Sequence, residues 1–239
     1  MLMMKKPFQA LTGFACILIT GSAMAAGTAD MSVGGTVITG SCTPTLSAST
    51  VDYGTIDVSR LTSTNTVTGN RLGFRDITLN VTCDSPMKVA WGVTDNRTGT
   101  AAYLNSEVER SGGNYHYEQA YFFGLGDTPE GKHIGSYSIT LMESKSTVDG
   151  GPVRLLQRHN PSLPWGDLIA ANGSMNNVYD LEHPEYQFTA GSPGTNEPMA
   201  ATTVSYALSI SAEVDLMSNL NLTDDTVLDG SATFTLVYL

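Results

Sequence analysis

The chain has 239 residues, 15% of them charged, and a formal net charge of −11. Losing the leader at residues 1–25 would remove two lysines and no acid, which takes the charge to −13. That balance argues against nucleic acid and anionic membrane as partners, and the length suits one all-β domain with generous loops or at most two small ones.

The chain opens as an export leader. Lys5 and Lys6 make a positive start, "ALTGFACILITG" is a short apolar run, and Ala23-Met24-Ala25 fits the small-x-small rule for signal peptidase. Cleavage is expected after Ala25, and the apolar run is too short to span a membrane. Cys16 lies inside the apolar run and not behind it, which argues against a lipoprotein. An extended segment over 26–35 follows, with Ala29, Met31 and Val33 in one alternating row.

The rest, 36–239, reads as strands and turns. "TVITGSC" ends in the first mature cysteine, and "STVDYGTI" and a Ser/Thr/Asn-rich loop come next. "FRDITLNVTCD" puts Ile77, Leu79, Val81 and Cys83 on one face, and "MKVAWGVTDN" is a strand closed by Asp-Asn. "AYFFGLGD" and "IGSYSITLM" flank a polar turn, and "TVSYALSISAEVD" and "GSATFTLVYL" close the chain. Thr, Val, Ile and aromatics at period two between Gly/Asn/Asp/Pro turns predict a sandwich. The one stretch with any helical character is "PSLPWGDLIAAN". Residues 97–118 and 143–200, rich in Gly, Asn, Pro and charge, are predicted to be long loops or short hairpins inserted in the sandwich.

Cys42 and Cys83 are the cysteines left after export, and an even count in an exported chain predicts one disulfide. It closes a loop of about 40 residues, worth roughly 4 kcal/mol in the chain-entropy account. No His lies near either cysteine and no Cys-x-x-Cys occurs, so neither a zinc site nor a redox pair is expected.

Motifs for catalysis are missing. "GDTPEGKH" stops one residue short of a phosphate-binding loop: His133 stands where a hydroxyl must ligate magnesium, and a strand follows instead of a helix. His116, His133, His159 and His183 show no metal-ligand spacing and read as solvated loop residues. Asp224, Asp225 and Asp229 lack the order of a calcium loop. No Gly-x-Ser-x-Gly elbow is present. The expectation is therefore no enzyme, no metal and no cofactor. Trp91, in an alternating strand, reads as core, and Trp165 as the anchor of a long loop.

The last strand poses the main question. Ala232, Phe234, Leu236 and Tyr238 form one row, uninterrupted by charge, Gly or Pro, and an uncovered edge of that kind invites association. A strand ending in Cys42, a second strand ending in Cys83, and an alternating terminal strand with Tyr238 next to last resemble chaperone–usher fimbrial subunits. "CTPTLS…VDYGTI", "TLNVTCDSP", "TDNRTGT", "FFGLGDTPEGKHIGSYSI" and "VYL" further resemble a fimbrial-like periplasmic family of unassigned function, which includes the glutamate-synthase-operon protein GltF. Thr226 departs from the fimbrial pattern, which has glycine there; the nearest glycine is Gly230.

The resemblance implies an immunoglobulin-like, pilin-type sandwich that lacks its last strand. It implies a groove beside Ala232, Phe234, Leu236 and Tyr238 that accepts a strand from another chain, and Ala29, Met31 and Val33 as a candidate donor. The implied partners are a periplasmic pilus chaperone, an outer-membrane usher and sibling fimbrial subunits. The implied place is the periplasm or cell-surface fimbria of a Gram-negative bacterium, with a role in cell adhesion and no direct membrane insertion. The residues leave a second class open: a stand-alone periplasmic or adhesin-like protein that binds a glycan or other ligand through the inserted loops, Trp165 included.

Overall fold

A computed structural model describes residues 31, 34, 40–61, 69–102, 104, 107–110, 113–116, 119–168, 177–222 and 224–239. The leader, and Ala29 and Val33 of the candidate donor row, lie outside the described residues; Met31 is exposed.

The strands, in chain order, are β1 (Cys42–Leu46), β2 (Asn70–Met87), β3 (Val89–Asp95), β4 (Glu107–Arg110), β5 (Gly113–His116), β6 (Phe123–Gly124), β7 (Gly135–Leu141), β8 (Thr147–Val148), β9 (Gly151–Pro152), β10 (Arg154–Arg158), β11 (Gly166–Asp167), β12 (Gln187–Gly191), β13 (Ala201–Val214) and β14 (Ala232–Tyr238). One helical turn, α1 (Met217–Leu220), follows β13. The first sheet runs β1-β2-β13-β7-β6, with β8 and β9 added beside β13. The second runs β11-β10-β12-β3-β14, and β4 and β5 form a separate hairpin. Every strand pair of the two sheets is antiparallel, giving an all-β sandwich.

The period-two pattern sets which side chains meet between the sheets. On β2, Leu79, Val81 and Cys83 are buried. On β13, the middle strand of its sheet, Tyr206, Leu208, Ile210 and Ala212 are buried in the same layer. Trp91 of β3 is fully buried and stands against Phe188, Tyr206 and Phe234, at centroid distances of 5.0, 5.4 and 5.6 Å. Cys42 lies directly opposite Cys83 in the β1–β2 ladder, and the two form a disulfide.

The segment 143–200 departs from the loop expectation. It supplies β10 and β12, which pair with each other and carry β3 onto the second sheet, with Leu155, Leu156, Phe188 and Ala190 buried. These strands have five residues each and are buried on both faces, so alternation, the usual signal, is lost. Residues 161–168 form turns and β11 in place of a helix. The segment 97–118 does contain a short hairpin, β4–β5. "DTPEGKH" is the turn of the β6–β7 hairpin, closed by an Asp127–His133 bridge.

Candidate functional site

β14 pairs with β3 along one edge, and among the described residues no strand pairs with its other edge. The direction of its backbone groups follows from its ends. Ser231 C=O accepts from Asn96 N–H at 2.9 Å, and Leu239 N–H donates to Lys88 C=O at 3.1 Å. Odd-numbered residues therefore address β3. Antiparallel alternation turns the N–H and C=O groups of Ala232, Phe234, Leu236 and Tyr238 toward the open edge. The side chains of Ala232, Phe234 and Leu236 pack inward on the core, so one set of residues offers both ladder groups and an apolar floor.

Beside this edge lies a groove of about 740 Å³. One wall is the segment from Ala48 to Leu61, the other runs from Leu222 to Phe234. Ile77, Ile139, Ile210 and Ala212, from the first sheet, form the floor, so the groove opens between the two sheets. Among the exposed large apolar residues, Val58 and Val227 line it from opposite walls.

Within "STVDYGTI", residues 51–57 take no ladder partner. Asp52 Oδ1 accepts from Gly54 N–H at 2.7 Å, and Gly54 has φ of 70°. This side-chain turn needs the left-handed backbone that glycine tolerates, and it interrupts the extended run. Val51, Tyr53 and Ile56 still pack on the core. Tyr53 O–H donates to Ile210 C=O at 2.9 Å and ties this wall to β13. Burial pushes its hydroxyl up to about 12, against a smaller opposing effect of Arg75, whose guanidinium lies 5.0 Å from the ring centre.

The other wall is pinned at Asp229. Its N–H donates to Leu125 C=O at 2.9 Å, and Arg97 Nη2 lies 2.7 Å from its Oδ2. The hydrogen bond from Arg97 holds the Asp229 carboxyl below its ordinary value. Gly230 completes this anchor: a Cβ there would stand 2.9 Å from Tyr137 Cε1 and 3.0 Å from Leu125 Cδ2. Below it, Asp95 at the end of β3 is buried and accepts from Gly124 N–H at 3.0 Å and Arg97 N–H at 2.8 Å. Burial raises its carboxyl, and these bonds oppose the rise.

Tyr238 departs from the inward row. It is 52% exposed, and its hydroxyl accepts from Cys42 N–H at 2.9 Å. The penultimate residue thus spans from β14 to β1 beside the disulfide, linking the edges of the two sheets. The sequence places Tyr238 in the row of Phe234 and Leu236 and gives no sign of its bond to Cys42.

The remaining marked residues fall elsewhere. Trp91 is core. Trp165 is partly buried under the Arg158 guanidinium, 4.2 Å from its ring centre. His133 pairs with Asp127 at 2.7 Å. Reading histidines by spacing missed one grouping: His159 and His183 meet beside Asp180. No described helix is long and apolar enough to cross a membrane, and the disulfide fits an exported protein.

A family model described as a protein of unknown function (DUF1120) matches residues 31–138. Two proteins of Escherichia coli K12 are similar over almost the whole chain. Protein GltF is 31% identical over 242 residues, covering 91% of this chain and 92% of its own. Uncharacterized protein YhcF is 30% identical over 242 residues, covering 93% of this chain and 98% of its own.

Proposed function

The chain belongs to the family of GltF-like proteins, and from that premise we propose that it is a non-catalytic, fimbrial-like structural subunit completed by a strand from another chain. The observation that carries the proposal is the groove. Its one edge presents the main-chain groups of Ala232, Phe234, Leu236 and Tyr238, its opposite wall over 51–57 lacks a ladder partner, and apolar side chains lie between. An added strand can bond to both edges while alternate side chains enter the groove. Each large apolar side chain that a donor buries there contributes about 1.5–3 kcal/mol.

The donor during export is a strand of a periplasmic pilus chaperone. After transfer through an outer-membrane usher it is the N-terminal extension of a sibling subunit, in a surface fimbria that serves adhesion. Residues 26–35 of this chain, with Ala29, Met31 and Val33, are its own contribution to a neighbour. The test is expression of the mature chain in the periplasm, alone and with residues 26–35 fused behind Leu239 through a flexible linker. The expected result is aggregation or proteolysis of the lone chain and a monodisperse, protease-resistant fused chain. A lone chain as stable as the fused one would overturn the proposal.

A further inference from the structure

A second cluster lies on the other part of the second sheet. β10 and β12 pair with Arg158 opposite Gln187. The next residues outward, His159 and Tyr186, therefore meet at one end of this strand pair, with ring centres 4.7 Å apart. The chain enters β12 through consecutive tight turns: His183 N–H donates to Asp180 C=O at 3.1 Å, and Tyr186 N–H to His183 C=O at 3.0 Å. These turns fold Asp180 and His183 onto the same end. The two imidazoles meet edge to face at 4.9 Å, and one donor atom each from His159, His183 and Asp180 lies within 4.8 Å of the others.

His183 is exposed, as a loop histidine would be, but the groups it meets are not. Asp180 is buried, at 4% exposure. Its Oδ1 accepts from Glu182 N–H at 2.9 Å, and its Oδ2 stands 2.8 Å from His183 Nδ1. This contact already sets a carboxylate oxygen and an imidazole nitrogen close to the spacing of two ligands, and an ion bound there takes the place of the proton between them. His159 is partly buried against Tyr186, whose hydroxyl is itself held by Gln157 Oε1 at 2.7 Å. Among the described residues, neither ring nitrogen of His159 has a hydrogen-bond partner. Glu182 and Glu185 add acid to the same turn. The neighbouring cation, Arg158, is engaged by Gln187 Oε1, Pro161 C=O and the Trp165 ring.

We propose that His159, His183 and Asp180 bind one divalent transition-metal ion of the Zn²⁺ class. Two imidazole nitrogens and one carboxylate oxygen suit Zn²⁺, Ni²⁺ or Cu²⁺, whereas Mg²⁺ and Ca²⁺ require oxygen shells. Ligand atoms on a tetrahedral ion with bonds of about 2.1 Å stand about 3.4 Å apart, so binding opens the 2.8 Å Asp180–His183 contact slightly and sets His159, within 4.8 Å, at the same spacing. Three protein ligands leave a position for water or for a donor from another molecule. The ion clamps the end of β10 to the turn that leads into β12.

The mature chain with residues 26–35 fused behind Leu239, or the lone mature chain should it prove stable, is purified from the periplasm, stripped with chelator and titrated with Zn²⁺ near neutral pH by calorimetry and against a chromophoric chelator. One saturable equivalent is expected, unaffected by Mg²⁺. His159→Gln and His183→Gln should each weaken it about tenfold or more, and the pair together should abolish it. His133→Gln, at the other histidine–aspartate pair, should leave it unchanged. Ring ¹⁵N shifts supply a readout that does not depend on a variant: Zn²⁺ should move the signals of His159 and His183 and spare that of His133. Absence of a saturable equivalent, retention of it in the double variant, or shifts at His133 in place of the pair would overturn the site.

Discussion

Backbone alternation along β14 predicts a hydrogen-exchange pattern with a parity. In the lone mature chain, the amides of Thr233, Thr235 and Val237 point at β3 and should exchange slowly. Those of Ala232, Phe234, Leu236 and Tyr238 point at the open edge and should exchange nearly as fast as in an unstructured peptide. Fusing residues 26–35 behind Leu239 is the perturbation. A donor that buries about three apolar side chains stabilises the edge by about 5–9 kcal/mol on the same per-residue scale. Opening the edge then becomes at least a thousandfold rarer, since each 1.4 kcal/mol is about a factor of ten. The even-numbered amides should slow by about that factor or to the global unfolding limit, and the odd-numbered ones should change less. Residue-resolved exchange reads the fused chain by NMR and the dilute lone chain, pulse-labelled on release and before it aggregates, by fragmentation mass spectrometry. Slow exchange of the even-numbered amides in the lone chain would refute the open edge. So would a fused chain in which the parity persists.

Other consequences follow from the groove walls. Tyr53→Phe removes the hydroxyl bond to Ile210 and should cost about 1 kcal/mol in urea unfolding of the fused chain. With its folded value near 12 and its unfolded value near 10, the wild-type Tyr53 contribution is complete below pH 10 and is lost between pH 10 and about 12; the phenylalanine variant should lack that loss. Asp229 behaves oppositely. Its depressed carboxyl contributes above the unfolded value and loses that contribution as pH falls through the folded one, so the 222–230 wall should loosen in acid, and Asp229→Asn should remove that pH dependence, as read by exchange of the Asp229-to-Leu125 amide bond. Phe234→Ala takes a half-buried ring from beside Trp91 and should destabilise the fused chain by about 3 kcal/mol, with a change in Trp91 fluorescence. Reduction of Cys42–Cys83 should cost about 4 kcal/mol and weaken the Tyr238 link to Cys42, read as faster exchange at Cys42.

Where alternation is clean, residue order carries far. Ile77, Leu79, Val81 and Cys83 announce a strand with one buried face, and the even residues of β14 announce another. Pairing of Cys42 with Cys83 needs only their number and an oxidising compartment. Alternation is silent over β10 and β12, where both faces are buried, and it says nothing of the side-chain turn at Asp52 and Gly54 that keeps 51–57 out of a ladder. Tyr238 shares the row of Phe234 by period but stays exposed, its hydroxyl reaching Cys42 N–H on β1 at the strand end.

The order of residues by itself determined the all-β class, the disulfide and the apolar edge of Phe234 and Leu236. Each depends on local periodicity or on a count, and both survive any arrangement of neighbours. Only the tertiary structure decided that this edge faces the Ala48–Leu61 wall across a groove, and that His159 meets His183 and Asp180. Those juxtapositions depend on which strands pair and in what register. Pairing joins residues far apart in the chain, and no local pattern encodes that separation.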